Sequence, residues 1–127
     1  MPAPLDLADE RFVSLTTFRR SGKGVATPVW VARDGDALVV TTPAGSGKVK
    51  RLRRDARVQL RPCSRRGAVA DDAPVAAGTA KIEAETPRAV AALRGKYGLE
   101  HRLVLLVERV LRRSRDHDRV ILRIVAA

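Results

Sequence analysis

The segment Thr41-Thr-Pro-Ala-Gly-Ser-Gly-Lys-Val-Lys-Arg51 holds the residues best suited to chemistry. A Gly-Ser-Gly stretch that opens a helix leaves backbone N–H groups unpaired and sets the positive end of the helix dipole beside them. Lys48, Lys50 and Arg51 add full charges at the same place, which is the chemistry of a phosphate site. A nucleoside-triphosphate P-loop is excluded, because that motif needs Gly where Thr42 stands and Ser or Thr where Val49 stands. The competing reading is a solvated basic helix. The neighbourhood favours an anion: residues 48–66 hold Lys48, Lys50, Arg51, Arg53, Arg54, Arg57, Arg61, Arg65 and Arg66 against Asp55 alone.

The elements that must position this segment are short strands. Phe12–Phe18 has the β-branched and aromatic content of a strand, and Arg19–Gly24 is a turn-forming link to a partner strand over Val25–Ala32. Pro28 cannot donate to a ladder, so that partner carries an edge or a bulge there. Arg33-Asp-Gly-Asp36 turns the chain into Ala37–Thr42, and three strands in succession predict an antiparallel meander. Lys48–Arg54 reads as a short basic helix with Val49 and Leu52 on one face, followed by strands over Arg57–Pro62 and Val75–Glu83. Thr86 as N-cap, Pro87 at the first helical position and Gly98 as the stop predict a helix between them. Leu103, Leu106, Val107, Val110 and Leu111 predict a further amphipathic helix over 99–113, and Arg119–Val125 reads as a buried strand. Six short strands with two or three helices, spaced too tightly for βαβ units, predict a mainly β barrel with helical additions.

The chain has 127 residues, which favours one domain over 1–127, with residues 1–8 expected as a flexible lead. No apolar run is long enough for a transmembrane helix, and the N-terminus lacks the features of a signal peptide, so a cytoplasmic protein is expected. A single cysteine, Cys63, excludes an internal disulfide and argues against a thiolate-rich metal site. A net charge of +11 raises nucleic acid as a partner. Two features argue against it: the charge is concentrated at one loop–helix junction, and aromatics make up 3% of the chain.

Three stretches taken together carry a resemblance: Phe12-Val-Ser-Leu-Thr-Thr-Phe-Arg-Arg20, Thr27-Pro-Val-Trp30, and Ser46-Gly-Lys-Val-Lys-Arg-Leu-Arg-Arg-Asp55 before the strand with Val58 and Leu60. In this order they resemble the flavin/deazaflavin oxidoreductases, relatives of the pyridoxamine 5′-phosphate oxidases, and within them the small actinobacterial group that uses coenzyme F-420. The resemblance runs from about Leu7 to Val125. One departure is Ala56, where the family commonly has Pro.

The resemblance implies a split β-barrel of the FMN-binding type, forming a homodimer with cofactor in grooves between the subunits. Ser46, Lys48, Lys50 and Arg51 would hold the cofactor phosphate. Thr27, Pro28, Val29 and Trp30 would run beside the deazaflavin ring, and Thr41 and Thr42 would contact the ribityl chain. Coenzyme F-420 carries a longer anionic tail than FMN, which makes Arg53, Arg54 and Arg57 candidates for tail contacts. The implied activity is hydride transfer between the deazaflavin and a small organic substrate. FMN or haem binding without turnover is the alternative. Proton donors, if the reaction needs one, would come from His101, His117 or Tyr97, each also readable as structural or exposed, as Cys63 is readable as a small buried hydrophobe.

Overall fold

The computed structural model describes residues 2–98 and 118–127; the predicted helix over 99–113, His101 and His117 lie outside the described residues. Strand β1, Val13–Phe18, alternates Val13, Leu15 and Thr17 toward the interior and pairs antiparallel with β2, Gly24–Val29. Pro28 sits opposite Ser14, and β2 is an edge strand of the sheet, so its missing N–H costs no ladder bond to a further neighbour. The segment read as one strand over Val25–Ala32 is two, because the chain leaves the ladder at Trp30 and Val31. A separate strand β3, Ala32–Asp34, then pairs with β4, Ala37–Pro43. Gly35, at φ +64°, takes the left-handed position that this tight turn requires.

Helix α1, Gly47–Arg54, leads into β5, Arg57–Pro62, and β6, Ala76–Ala84; helix α2, Pro87–Tyr97, precedes the final strand β7, Arg119–Ala126. The order across the single antiparallel sheet is β2-β1-β5-β6-β7-β4-β3, seven strands among the described residues where about six were expected. The predicted meander is not formed. β1 and β2 close one end of the sheet while β3 and β4 close the other, and β2 and β3 do not pair although Trp30 and Val31 alone separate them. The sheet therefore curls until its two edges meet at one crossing of the chain without a ladder between them, which is a split barrel.

The barrel interior is filled by Val13, Leu15, Val31, Leu38, Val40, Leu52, Val58, Leu60, Leu122 and Ile124. Helix α1 plugs one end with Val49 and Leu52. The opposite face of β3, β4 and β7 is covered by α2, which packs Ala89, Leu93 and Tyr97 on Ala32, Val39 and Ile121. In the N-terminal lead, Pro4–Leu7 forms a 3-10 turn whose Leu7, 3% exposed, enters the barrel core.

Two side chains fasten α2 to the rest. Lys96 Nζ donates to the carbonyls of Ala8, Glu10 and Val31 at 2.6, 2.5 and 2.7 Å. Tyr97 Oη takes the Val31 N–H at 2.9 Å and sits 2.9 Å from the carbonyl oxygens of Arg11 and Val31. Together they tie the N-terminal loop, the β2–β3 crossing and the helix end at one point.

Candidate functional site

The site is built where β4 ends and α1 begins. Ser46 is the N-cap of α1, its Oγ accepting from the Val49 N–H at 3.4 Å, and Thr42 Oγ1 donates to the same oxygen at 3.3 Å. Thr42 faces the interior and Thr41 the opposite side of the sheet, so successive threonines present hydroxyls on both faces of the strand end. The ladder carries on past β4: Ala44 N–H donates to the Asp118 carbonyl at 2.9 Å. That pairing sets Arg119, opposite Pro43, beside the loop.

Arg119 Nε donates to Thr41 Oγ1 at 2.9 Å, and its Nη2 to the Thr41 carbonyl at 3.2 Å. On α1, Lys48 and Arg51 are three residues apart and both half-buried, on the flank of the helix next to its buried face. Arg51 is held by Thr17 of β1, Nε to Oγ1 at 2.6 Å. A Cβ placed on Gly47 would lie 2.8 Å from Arg51 Nη1, so the guanidinium rests against the first helical residue because that residue has no side chain. Burial pushes the Lys48 ammonium below its ordinary pKa, and the positive charges of Arg51 and Arg119 push it the same way. Three cations thus converge on one helix start.

Of the residues expected from sequence, Thr41, Thr42, Ser46, Lys48 and Arg51 come together here. Lys50 is exposed on the outer side of α1. Arg57 lies on the other face of the sheet, its Nη2 2.8 Å from Asp55 Oδ2 and its guanidinium over the Phe18 ring. That pairing holds the Asp55 carboxyl down at about 2. Arg54 donates to the Phe18 carbonyl at 2.7 Å, tying the end of α1 to the β1–β2 hairpin.

The β2 residues divide. Thr27 and Val29 face the interior with Leu15 and Val13, on the side of the sheet where Thr17 holds Arg51. Thr27 Oγ1 is buried and has no hydrogen-bond partner among the described residues. Pro28 faces outward, and a Cβ on Gly67 would lie 3.5 Å from it, so the 64–67 turn folds back onto this strand. Trp30 leaves the strand and stacks on Tyr97 with ring centroids 4.7 Å apart, within the cluster under α2. Tyr97, 4% exposed and engaged with backbone groups, serves that clasp. Cys63 is half-buried, and burial pushes its thiol pKa up, away from the reactive thiolate.

Sequence reasoning missed Thr17 and Arg119. For Thr17 a signal exists: it is the polar residue at the inward position of an otherwise apolar Val13, Leu15 alternation. For Arg119 there is none, since it reads as the flank of an apolar run until the β4–β7 register is known.

Among the described residues no helix is long and apolar enough to cross a membrane. No curated protein matches the chain closely enough to count as a relative. Solved structures do. A conserved hypothetical protein of Mycobacterium tuberculosis, Rv2991, is similar at 25% identity and TM-score 0.65, over 99% of this chain and 81% of that one. An F420 reductase is similar at 18% identity and TM-score 0.64, over 100% and 95%. The haem storage protein HutZ of Vibrio cholerae is similar at 11% identity and TM-score 0.63, over 97% and 87%. The latter two likenesses are of fold alone. The sequence pattern of pyridoxamine 5′-phosphate oxidases matches residues 5–127, nearly the whole chain: the chain belongs to the pyridoxamine 5′-phosphate oxidase family.

Proposed function

We propose that the protein is a coenzyme F-420-dependent oxidoreductase, acting as a homodimer on a small organic substrate. The observation that carries the reading is the convergence of Lys48, Arg51 and Arg119 on the start of α1, beside the hydroxyls of Thr41, Thr42 and Ser46. Backbone N–H groups, hydroxyls and half-buried cations at a helix start are the donor set for a cofactor phosphate, and the residues present fit one. The buried, partnerless Thr27 Oγ1 supports the same placement, because a ligand atom against the inner side of β2 would satisfy a hydroxyl that otherwise costs about 1–3 kcal/mol.

When bound, the deazaflavin supplies hydride chemistry at its ring carbon C5. The work of this chain is to hold and orient. Ser46, Lys48 and Arg51 fix the phosphate end, Thr41 and Thr42 stand next along the strand, and Thr27 and Val29 line the interior side of β2. Tyr97 is committed to the clasp and does not serve as proton donor in this reading. The exposed basic residues Lys50, Arg53 and Arg54 continue the positive surface outward along α1, which suits the longer anion of coenzyme F-420 better than the single phosphate of FMN.

The test is titration of purified apoprotein with oxidised coenzyme F-420, FMN, haem and duplex DNA in turn. Coenzyme F-420 is expected to bind most tightly, with affinity falling as salt rises, to a species that light scattering reports as a dimer. Tight FMN or haem binding without a response to the deazaflavin would replace this reading by that of a carrier in the same fold. A monomer that still binds cofactor would remove the shared groove.

A further inference from the structure

The turn between β1 and β2 carries Arg19, Arg20 and Lys23, all exposed, around Ser21 and Gly22. It is closed by the Arg19 N–H on the Lys23 carbonyl at 2.9 Å and the Gly22 N–H on the Arg19 carbonyl at 2.8 Å. On α1, Lys50, Arg53 and Arg54 stand at i, i+3 and i+4 and form an exposed stripe opposite the buried Val49 and Leu52. Arg54 Nη2 joins the two elements by donating to the Phe18 carbonyl at 2.7 Å, so the turn and the helix stripe make one continuous basic surface. The described residues do not neutralise it. Across the hairpin, α1 and β5 the one carboxylate is Asp55, and Arg57 holds it at 2.8 Å. Arg19, Arg20, Lys23, Lys50 and Arg53 form no ion pair with another described residue.

We infer that this surface docks the protein on an anionic lipid bilayer, as a peripheral contact made by charge. A single-stranded nucleic acid asks for aromatic side chains to stack on, and a duplex for an element shaped to enter a groove. The aromatic side chain of this surface, Phe18, is half-buried beneath the Arg57 guanidinium. A bilayer asks instead for charges raised to a plane, each Lys or Arg that reaches it adding about fivefold in affinity. A hairpin turn and a helix face, tied side by side and carrying no bulky apolar side chain at the turn, meet that requirement. The turn residues Arg19, Arg20 and Lys23 have no part in the cofactor reading, so the two stand or fall separately.

The experiment is co-sedimentation of the full chain with vesicles of phosphatidylcholine alone and of phosphatidylcholine mixed with phosphatidylglycerol, at low and high salt, with thermal melting alongside. The wild type is expected to bind the mixed vesicles at low salt, to leave them as salt rises, and to ignore phosphatidylcholine. Replacing Arg19, Arg20 and Lys23 together by Gln should weaken partition by about a hundredfold, and each single replacement by about fivefold, which carries the test if the triple variant does not fold. The control removes the same charge elsewhere: Arg61→Gln, Arg66→Gln and Arg94→Gln, exposed residues on β5 opposite Ser14, in the 64–67 turn and on α2, should together stay within about threefold of wild type. Equal losses in the two triple variants would reduce the effect to net charge and overturn the inference, as would a wild type that ignores the mixed vesicles. Tighter, hairpin-dependent binding of a duplex oligonucleotide at matched phosphate concentration would overturn it in favour of nucleic acid, and release by inorganic phosphate beyond what sodium chloride of equal ionic strength achieves would overturn it in favour of a discrete anion site.

Discussion

Thr17→Val is the substitution that best isolates how the fold prepares the proposed anion site. Thr17 is fully buried, and its hydroxyl meets Arg51 Nε at 2.6 Å. Valine keeps the shape and removes only the acceptor, so the barrel wall stays packed while Arg51 loses the bond that points it at the first turn of α1. A hydrogen bond to a charged group contributes about 1.5–3 kcal/mol. Part of that returns when the half-buried guanidinium swings into water, which leaves a stability loss of about 1 kcal/mol, or about 3–6 °C in melting temperature for a domain of this size. The effect on binding is larger, because the anion must then bring Arg51 back and order its side chain. The dissociation constant for coenzyme F-420 is expected to rise about tenfold. Fluorescence titration of the wild type, Thr17→Val, Arg51→Ala and the double variant closes the cycle: Thr17→Val should cost little once Arg51 is gone. If the two losses simply add, or if Thr17→Val binds within twofold of wild type, Thr17 is a wall residue and Arg51 needs no positioning.

Lys48→Ala is expected to raise the cofactor dissociation constant about tenfold and Lys50→Ala less than threefold, because Lys48 is half-buried among the site cations while Lys50 is exposed; the reverse order in titration would put the anion on the other side of α1. Gly78→Ala is expected to destabilise the fold by more than about 2 kcal/mol in denaturant melts, since the added Cβ would lie 2.6 Å from the Val125 carbonyl oxygen, a backbone atom that cannot step aside. Tyr97→Phe leaves the buried Val31 N–H without its acceptor and should cost about 1–3 kcal/mol of stability with cofactor affinity of the folded protein unchanged; a loss of turnover at full stability would restore Tyr97 as a proton donor. Asp34 is kept ionised by its hydrogen bond from Arg123, and the charges of Arg88 and Arg123 help outweigh burial, so its folded pKa lies below the ordinary value. Its contribution is complete above the unfolded pKa of about 3.9 and is lost as the pH falls through the lower folded value. The melting temperature of wild type should therefore drop more steeply below about pH 4 than that of Asp34→Asn, and parallel curves would refute the coupling.

The local signals read truly. Thr86-Pro87 starts α2, Gly98 stops it, Val49 and Leu52 mark the buried face of α1, and Pro28 lies on an edge strand. Each depends on physics within a few residues. The meander failed for the opposite reason. Whether Val29 continues into Ala32 or breaks is decided by Tyr97 and Lys96 gripping the groups of Val31 from α2, more than sixty residues later. A strand pattern cannot contain that information, so one apparent strand became the two edges of the split.

The site divides along the same line. Ser46, Lys48 and Arg51 are near neighbours and legible as a motif, but which of the surrounding positive charges are available to a ligand is a tertiary question. Arg57 is occupied by Asp55, Arg123 by Asp34 and Glu83, and Arg88 by Asp34. Composition counts all of these toward +11 alike. Sorting them requires knowing which strand lies beside which. Once the β4–β7 register is in place, Arg119 from the end of the chain lies near Lys48 and Arg51 from its middle, while Arg57, close to those two in sequence, is paired with Asp55.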